Sequence, residues 1–132
     1  MQLETEKVQC SADAATIFNH LNGKFENYNG IMPEDVAKFE SDDTSFVFGM
    51  KGVPEIRLID KESIPNERIV LTAASSKLDF DLTLHLNENE AGTEAWFTFE
   101  GEFNAMMQMM IKKPLQTFID KLIHKLGERF SS

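Results

Sequence analysis

The strictest constraint on this chain is a change of hydrophobic period along its second half. Leu78, Phe80, Leu82, Leu84 and Leu86 alternate with Asp79, Asp81, Thr83 and His85. Ala95, Phe97, Phe99, Gly101 and Phe103 alternate in the same way with Glu94, Trp96, Thr98, Glu100 and Glu102. Successive side chains of a strand point to opposite faces, so each segment predicts a strand with one dry and one wet side. A sheet of such strands is antiparallel and needs a cover on its apolar face. From about residue 110 the period becomes helical. Ile111, Leu115, Phe118, Leu122 and Leu126, with Ile119, Ile123 and Phe130 beside them, form a wide apolar stripe on a helix over 105–130.

The two-residue period reaches back to about residue 35. Candidate strands cover 35–41, 45–51, 55–63, 67–74, 77–87 and 93–103. Between them stand the turn signals Ser41-Asp42-Asp43, Gly52-Val53-Pro54, Pro65-Asn66, Ser75-Ser76 and Asn87 to Gly92. These connections are too short for crossover helices, so the strands form hairpins. Upstream, residues 2–9 read as a polar edge strand. Ser11 offers an N-cap to a helix with Asp13 in its first turn, Ala14, Ile17, Phe18 and Leu21 on its apolar face, and Gly23 at its end. Residues 24–30, with Phe25 and Tyr28, predict a short second helix or a structured loop. No repeat, low-complexity tract or linker divides the 132 residues, so one domain over 1–132 is expected. The fold class is α+β: a curved seven-stranded antiparallel sheet around a long C-terminal helix, with one or two short helices after the first strand.

Charge narrows the function classes. The net charge of −9 argues against a general nucleic-acid binder, whose affinity comes from Lys and Arg on phosphates. The imbalance is uneven: residues 104–132 carry Lys112, Lys113, Lys121, Lys125 and Arg129 against only Asp120 and Glu128. That pattern fits a basic helix docked on an acidic body, or else a membrane-surface or anion-binding helix. Cys10 is the single cysteine, so no intramolecular disulfide forms, and a cytoplasmic, reducing location is expected. The opening MQLETEKVQ lacks a basic region and apolar run, and no apolar stretch is long enough to span a bilayer. Neither secretion nor integral membrane association is expected.

Signatures of chemistry are missing. His20, His85 and His124 stand far apart and outside any HExxH, and a lone cysteine makes no CxxC. No Gly-rich phosphate loop or GxSxG occurs. No catalytic residue, metal ligand or cofactor is therefore assigned. His85 and His124 read as solvated; His20, Tyr28 and Arg57 are the titratable groups that could enter a pocket. Cys10 reads as a small buried hydrophobe, against a thiolate stabilised by the following helix. Hairpin register brings Asp79 or Asp81 near Glu100, a repulsion that Lys77, Arg68, solvent or a cation would relieve.

Methionine is the strongest local signal. Met106, Met107, Met109 and Met110 open the last helix, and at 100° per residue Met106, Met109 and Met110 lie opposite the later stripe. A continuous helix would expose all three. Pro114 clashes with the carbonyl of Met110, so a kink or interruption between Met110 and Pro114 is expected, turning the methionines inward. They would form an adaptable wall or lid over an apolar pocket, or else flexible core filler.

The order of strand, one or two helices, six strands and a long helix resembles the START-like, or SRPBCC, superfamily, which includes the birch-pollen allergen proteins and small bacterial polyketide-cyclase-type proteins. The likeness covers essentially the whole chain. Its local support is Met50-Lys51-Gly52-Val53-Pro54-Glu55-Ile56 and Glu100 to Leu115 (EGEFNAMMQMMIKKPL), which is similar to the strand-to-helix junction of short bacterial members. The resemblance implies a helix-grip fold with a hydrophobic or amphipathic small molecule held between sheet and helix. Members include enzymes, carriers and co-chaperones. The candidate lining is Phe48, Met50, Phe80, Leu82, Phe97, Phe99, Met106, Met110 and Phe118. These inward positions converge no titratable groups, which favours binding over cyclase- or dehydratase-type catalysis. A protein-interaction adaptor or a homodimer is the remaining alternative.

Overall fold

In the computed structural model, which describes residues 1–74 and 78–131, the element order is β1 (Gln2–Glu4), β2 (Val8–Cys10), α1 (Ala14–Leu21), a 3-10 turn (Phe25–Ile31), β3 (Val36–Ser41), β4 (Ser45–Met50), β5 (Val53–Ile64), β6 (Arg68–Ala73), β7 (Asp79–Asn89), β8 (Gly92–Glu102) and α2 (Ala105–Arg129). The strands form one antiparallel sheet in the order β1-β8-β7-β6-β5-β4-β3, with β2 also on β8. The α+β class, the hairpin meander and the long C-terminal helix are those expected from the two periods.

The sheet has eight strands rather than seven because the first one breaks at Thr5. Glu4 pairs with Thr98 but Val8 with Ala95, so three residues of the first strand oppose two of β8. Thr5 is buried and satisfies the ladder itself: its N–H donates to the Phe97 carbonyl at 3.0 Å, and its hydroxyl oxygen accepts the Phe97 N–H at 2.9 Å. This is a bulge held by a side chain. The helix cap also differs from expectation. Asp13, not Ser11, caps α1, accepting the Thr16 N–H at 2.8 Å. Ser11 instead donates its N–H and hydroxyl to the Phe130 carbonyl, tying the start of α1 to the end of α2.

Turns are tighter than the sequence signals suggest. Asn89 pairs with Gly92, leaving two residues in the β7–β8 turn. A methyl on Gly92 (φ +134°) would lie 2.1 Å from the Cys10 carbonyl oxygen, so only glycine fits there. Val53 and Pro54 already belong to β5, and the preceding turn is Lys51-Gly52, with Gly52 at φ +89°. The expected Ser75-Ser76 turn, and the expected strand start at residue 77, lie outside the described residues; β7 begins at Asp79.

Helix α2 covers the inner face of the sheet with Ile111, Leu115, Phe118, Ile119, Leu122, Ile123 and Leu126, all buried; Phe130 caps its end half-buried. Phe118 stacks on Phe48 of β4 at 4.7 Å between centroids. Contrary to expectation, α2 runs uninterrupted through Pro114. Ile111 and Leu115 pin the helix to the sheet on either side of the proline. The Met110 carbonyl that Pro114 leaves without a partner belongs to a residue on the exposed side, where water can satisfy it. With Pro114 interior to the helix, Pro114→Ala should raise the unfolding free energy by up to about 3 kcal/mol in urea titration. Phe118→Ala should lower it by about 3–5 kcal/mol.

Candidate functional site

Beneath the N-terminal half of α2 the core does not close completely. Two neighbouring voids of about 10 Å³ each remain. The outer one lies among Val53, Pro54, Ile56, Leu78, Phe80, Phe99, Phe103, Met107, Ile111 and Leu115. The inner one lies among Phe48, Ile56, Leu58, Phe80, Leu82, Phe99, Leu115, Phe118 and Ile119. Ile56, Phe80, Phe99 and Leu115 border both. Every wall residue is apolar, so a water here would find no side-chain partner. The aromatic rings close the space: Phe80 and Phe99 are 4.8 Å apart between centroids, and Phe99 and Phe103 6.2 Å. In this state the crevice is shut, and nothing larger than a methyl group fits without movement.

The structure brings five of the nine expected lining residues together: Phe48, Phe80, Leu82, Phe99 and Phe118. Phe97 is buried but faces Leu84, farther along the hairpin, outside both walls. Met50 is half-buried at the margin of the core. Met106 and Met110 point away from the crevice. They are 74% and 65% exposed, beside Met109 at 85%. Their inward turn required a broken helix, and α2 is continuous. Among the wall residues not expected, Met107 stands one helical turn before Ile111 and on its face; the wheel that turned the other three outward also turns Met107 inward. Ile56 and Leu58 were legible as alternating positions of β5.

The cover is anchored unequally. Among residues 105–110 none is fully buried, and the start of α2 is held by its cap. There Asn104 Oδ1 accepts the Met107 N–H at 2.8 Å, and Gln108 Nε2 donates to the Phe103 carbonyl at 3.1 Å. From Ile111 onward every turn buries at least one apolar side chain.

Polar groups stand elsewhere. Arg57 points outward to Asp42 and Ser45. His20 accepts the Arg129 Nε–H at 3.2 Å, and partial burial followed by the Arg129 charge holds its pKa below the usual value. Tyr28 is buried against Phe46 at 4.7 Å with no hydrogen-bond partner among the described residues; burial pushes its phenol far up. Cys10 is buried and its thiol pushed up by desolvation, so it is a packed hydrophobe and not a thiolate. His124 pairs with Glu6 at 2.7 Å on the surface. Among the described residues no three His, Cys, Asp or Glu side chains converge as a metal site.

The outer sheet face holds a wider, polar groove of about 470 Å³ over β1, β7 and β8. Asp81 lies opposite Glu100 and Asp79 opposite Glu102, the repulsive pairing expected. Relief comes from Lys61 of β5, which reaches Asp81 at 2.7 Å. Arg68 is engaged with Glu62 instead, and Lys77 lies outside the described residues. His85 is less solvated than expected: it stacks on Trp96 at 5.0 Å and hydrogen-bonds Thr98 Oγ1 at 2.8 Å. Lys7 sits 4.6 Å from the centroid of the Trp96 ring.

No family model matches the chain, and no curated protein sequence does. Solved structures match it in shape. The protein TTHA0849 from Thermus thermophilus has a TM-score of 0.71 at 15% identity, covering 98% of this chain and 97% of that one. The KanY protein has a TM-score of 0.75 at 7% identity over 98% and 97%. The Aha1 dimer from Colwellia psychrerythraea has a TM-score of 0.66 at 13% identity over 99% and 96%. The chain thus shares its architecture of a sheet with a C-terminal helix with these proteins.

Desolvation, then the Arg68 charge, depresses the pKa of His85 below its ordinary value of 6.5. The unfolded chain therefore binds the proton more readily, and the stability that the neutral ring contributes is lost as pH falls below 6.5. NMR titration should place the His85 midpoint under 6.5, and His85→Gln should flatten the decline in stability over that acid range, leaving the contribution of His20, whose pKa is lowered in the same direction.

Proposed function

We propose that this chain is a START-like binding protein that takes up an apolar or amphipathic small molecule between the sheet and the N-terminal half of α2. The observation that carries the reading is the pair of adjacent, wholly apolar voids beneath the least anchored part of the helix. Ligand pockets typically measure roughly 300–1,000 Å³, so occupancy requires the cover to move. Met107 and Phe103 are the side chains best placed to yield, being half-buried and at the outer void. A thioether repacks at little cost, which suits a site accepting ligands of varied shape. The apolar walls supply no acid, base or nucleophile, which supports binding over catalysis. As part of this reading the protein works in the cytoplasm, which its single, buried Cys10 supports.

Native mass spectrometry of freshly purified protein should show a co-purified small molecule. After its removal, a neutral apolar fluorophore such as N-phenylnaphthylamine should bind with a blue-shifted emission. Met107→Trp, which sets a bulky indole across the mouth of the outer void at a half-buried position, should abolish that signal while circular dichroism stays unchanged. Absence of both the adduct and the fluorescence, or binding indifferent to Met107→Trp, would contradict the proposal.

A further inference from the structure

The three methionines excluded from the crevice are the large hydrophobic side chains that stand exposed: Met106, Met109 and Met110. On the helical wheel they surround Lys113, with Lys112 at one flank. The β4–β5 turn adds a third cation. A methyl on Gly52 would sit 3.8 Å from Pro114, so the Lys51-Gly52 turn abuts α2 beside Lys113. Lys51, Lys112 and Lys113 are all exposed.

Their pairing sets them apart from most cations of this acidic chain. Lys7, Lys38, Arg57, Lys61, Arg68, Lys121 and Lys125 each meet a carboxylate within 4.0 Å. Arg129 engages His20. Among the described residues, Lys51, Lys112 and Lys113 have no carboxylate partner, and Lys24 is the one other lysine of that kind. The rest of the basic C-terminal helix is thus consumed in docking to the acidic body, and the three free lysines gather around the exposed methionines. Glu102, three residues before α2, lies opposite Asp79 in the sheet, and Glu55, four residues after Lys51, is engaged by Lys38.

From this coincidence we infer that the Met106–Met109–Met110 face, with Lys51, Lys112 and Lys113, docks reversibly on an anionic lipid surface. Methionines enter the headgroup boundary while the lysines meet lipid phosphates, as an amphipathic interfacial helix does. The remaining negative charge of the chain is screened beyond about 8 Å at physiological ionic strength. A second copy fits this face less well. A two-fold interface would set the same three lysines against themselves, and three side chains fall short of the roughly 1,200–2,000 Å² that a stable protein interface buries. The inference goes beyond the binding of a small molecule and is read without one, although docking would bring the mouth of the crevice, at Met107, to the bilayer.

Flotation of the full chain with vesicles tests it, using phosphatidylcholine alone and phosphatidylcholine with about 30% phosphatidylglycerol. Partitioning should favour the anionic vesicles and fall in about 0.5 M salt. Lys51→Ala, Lys112→Ala and Lys113→Ala should each weaken it about fivefold, and Lys24→Ala should leave it unchanged. Met109→Ser combined with Met110→Ser should abolish it; these residues are exposed, so the fold is retained, and fluorophore uptake in solution should match the parent chain. Loss of vesicle binding and loss of ligand binding are thereby read separately. Equal binding to both vesicles, no binding, or indifference to the lysine and methionine changes would overturn the inference. So would self-association, or binding to an acidic peptide without vesicle binding, that these substitutions abolish.

Discussion

A sheet with one dry face is unstable in water until something covers it, and here α2 is the cover. Seven of its side chains are buried against the sheet and the 3-10 turn, each contributing about 1.5–3 kcal/mol relative to exposure. That burial outweighs the local cost of a proline inside the helix. It also fixes the rotation of α2 about its axis, and therefore the direction of every other residue on it. The outward methionines, the free lysines and the inward Met107 all follow from the phase set by Ile111, Leu115, Phe118 and Leu122.

Most of the architecture was legible because two periods, 2 and 3.6, are hard to mistake over segments this long. The β7–β8 hairpin, its acidic pairing and the stripe of α2 needed no tertiary information. What escaped was decided by groups that sequence pattern does not weigh. The split of the first strand depends on one buried hydroxyl, Thr5, replacing a backbone group in the ladder. The cap at Asp13 prevailed over Ser11 because Ser11 is drawn to the Phe130 carbonyl at the far end of the chain.

The candidate site was legible on the sheet and at Phe118 of α2, and misread at the methionines that open the helix. Phe48, Phe80, Leu82 and Phe99 lie on strands, where facing is fixed by parity. The methionines lie on a helix whose course past Pro114 was in doubt, and the choice between broken and continuous reverses their facing. The wheel alone gave the right exposure for Met106, Met109 and Met110. The expectation of a break, made to hide them, displaced it. Exposed thioethers beside unpaired lysines are better explained by a function outside the core than by core filling.

The central claim is that the first turns of α2 are a displaceable cover over an apolar crevice, while the later turns are fixed core. Amide hydrogen exchange measures this most directly. Amides of residues 108–112, which follow the cap, should exchange well before those of 118–126, and binding of N-phenylnaphthylamine should slow the first group without changing the second. Equal protection along the whole helix, unaltered by an apolar ligand, would contradict the account and leave α2 as a single rigid element of a closed core.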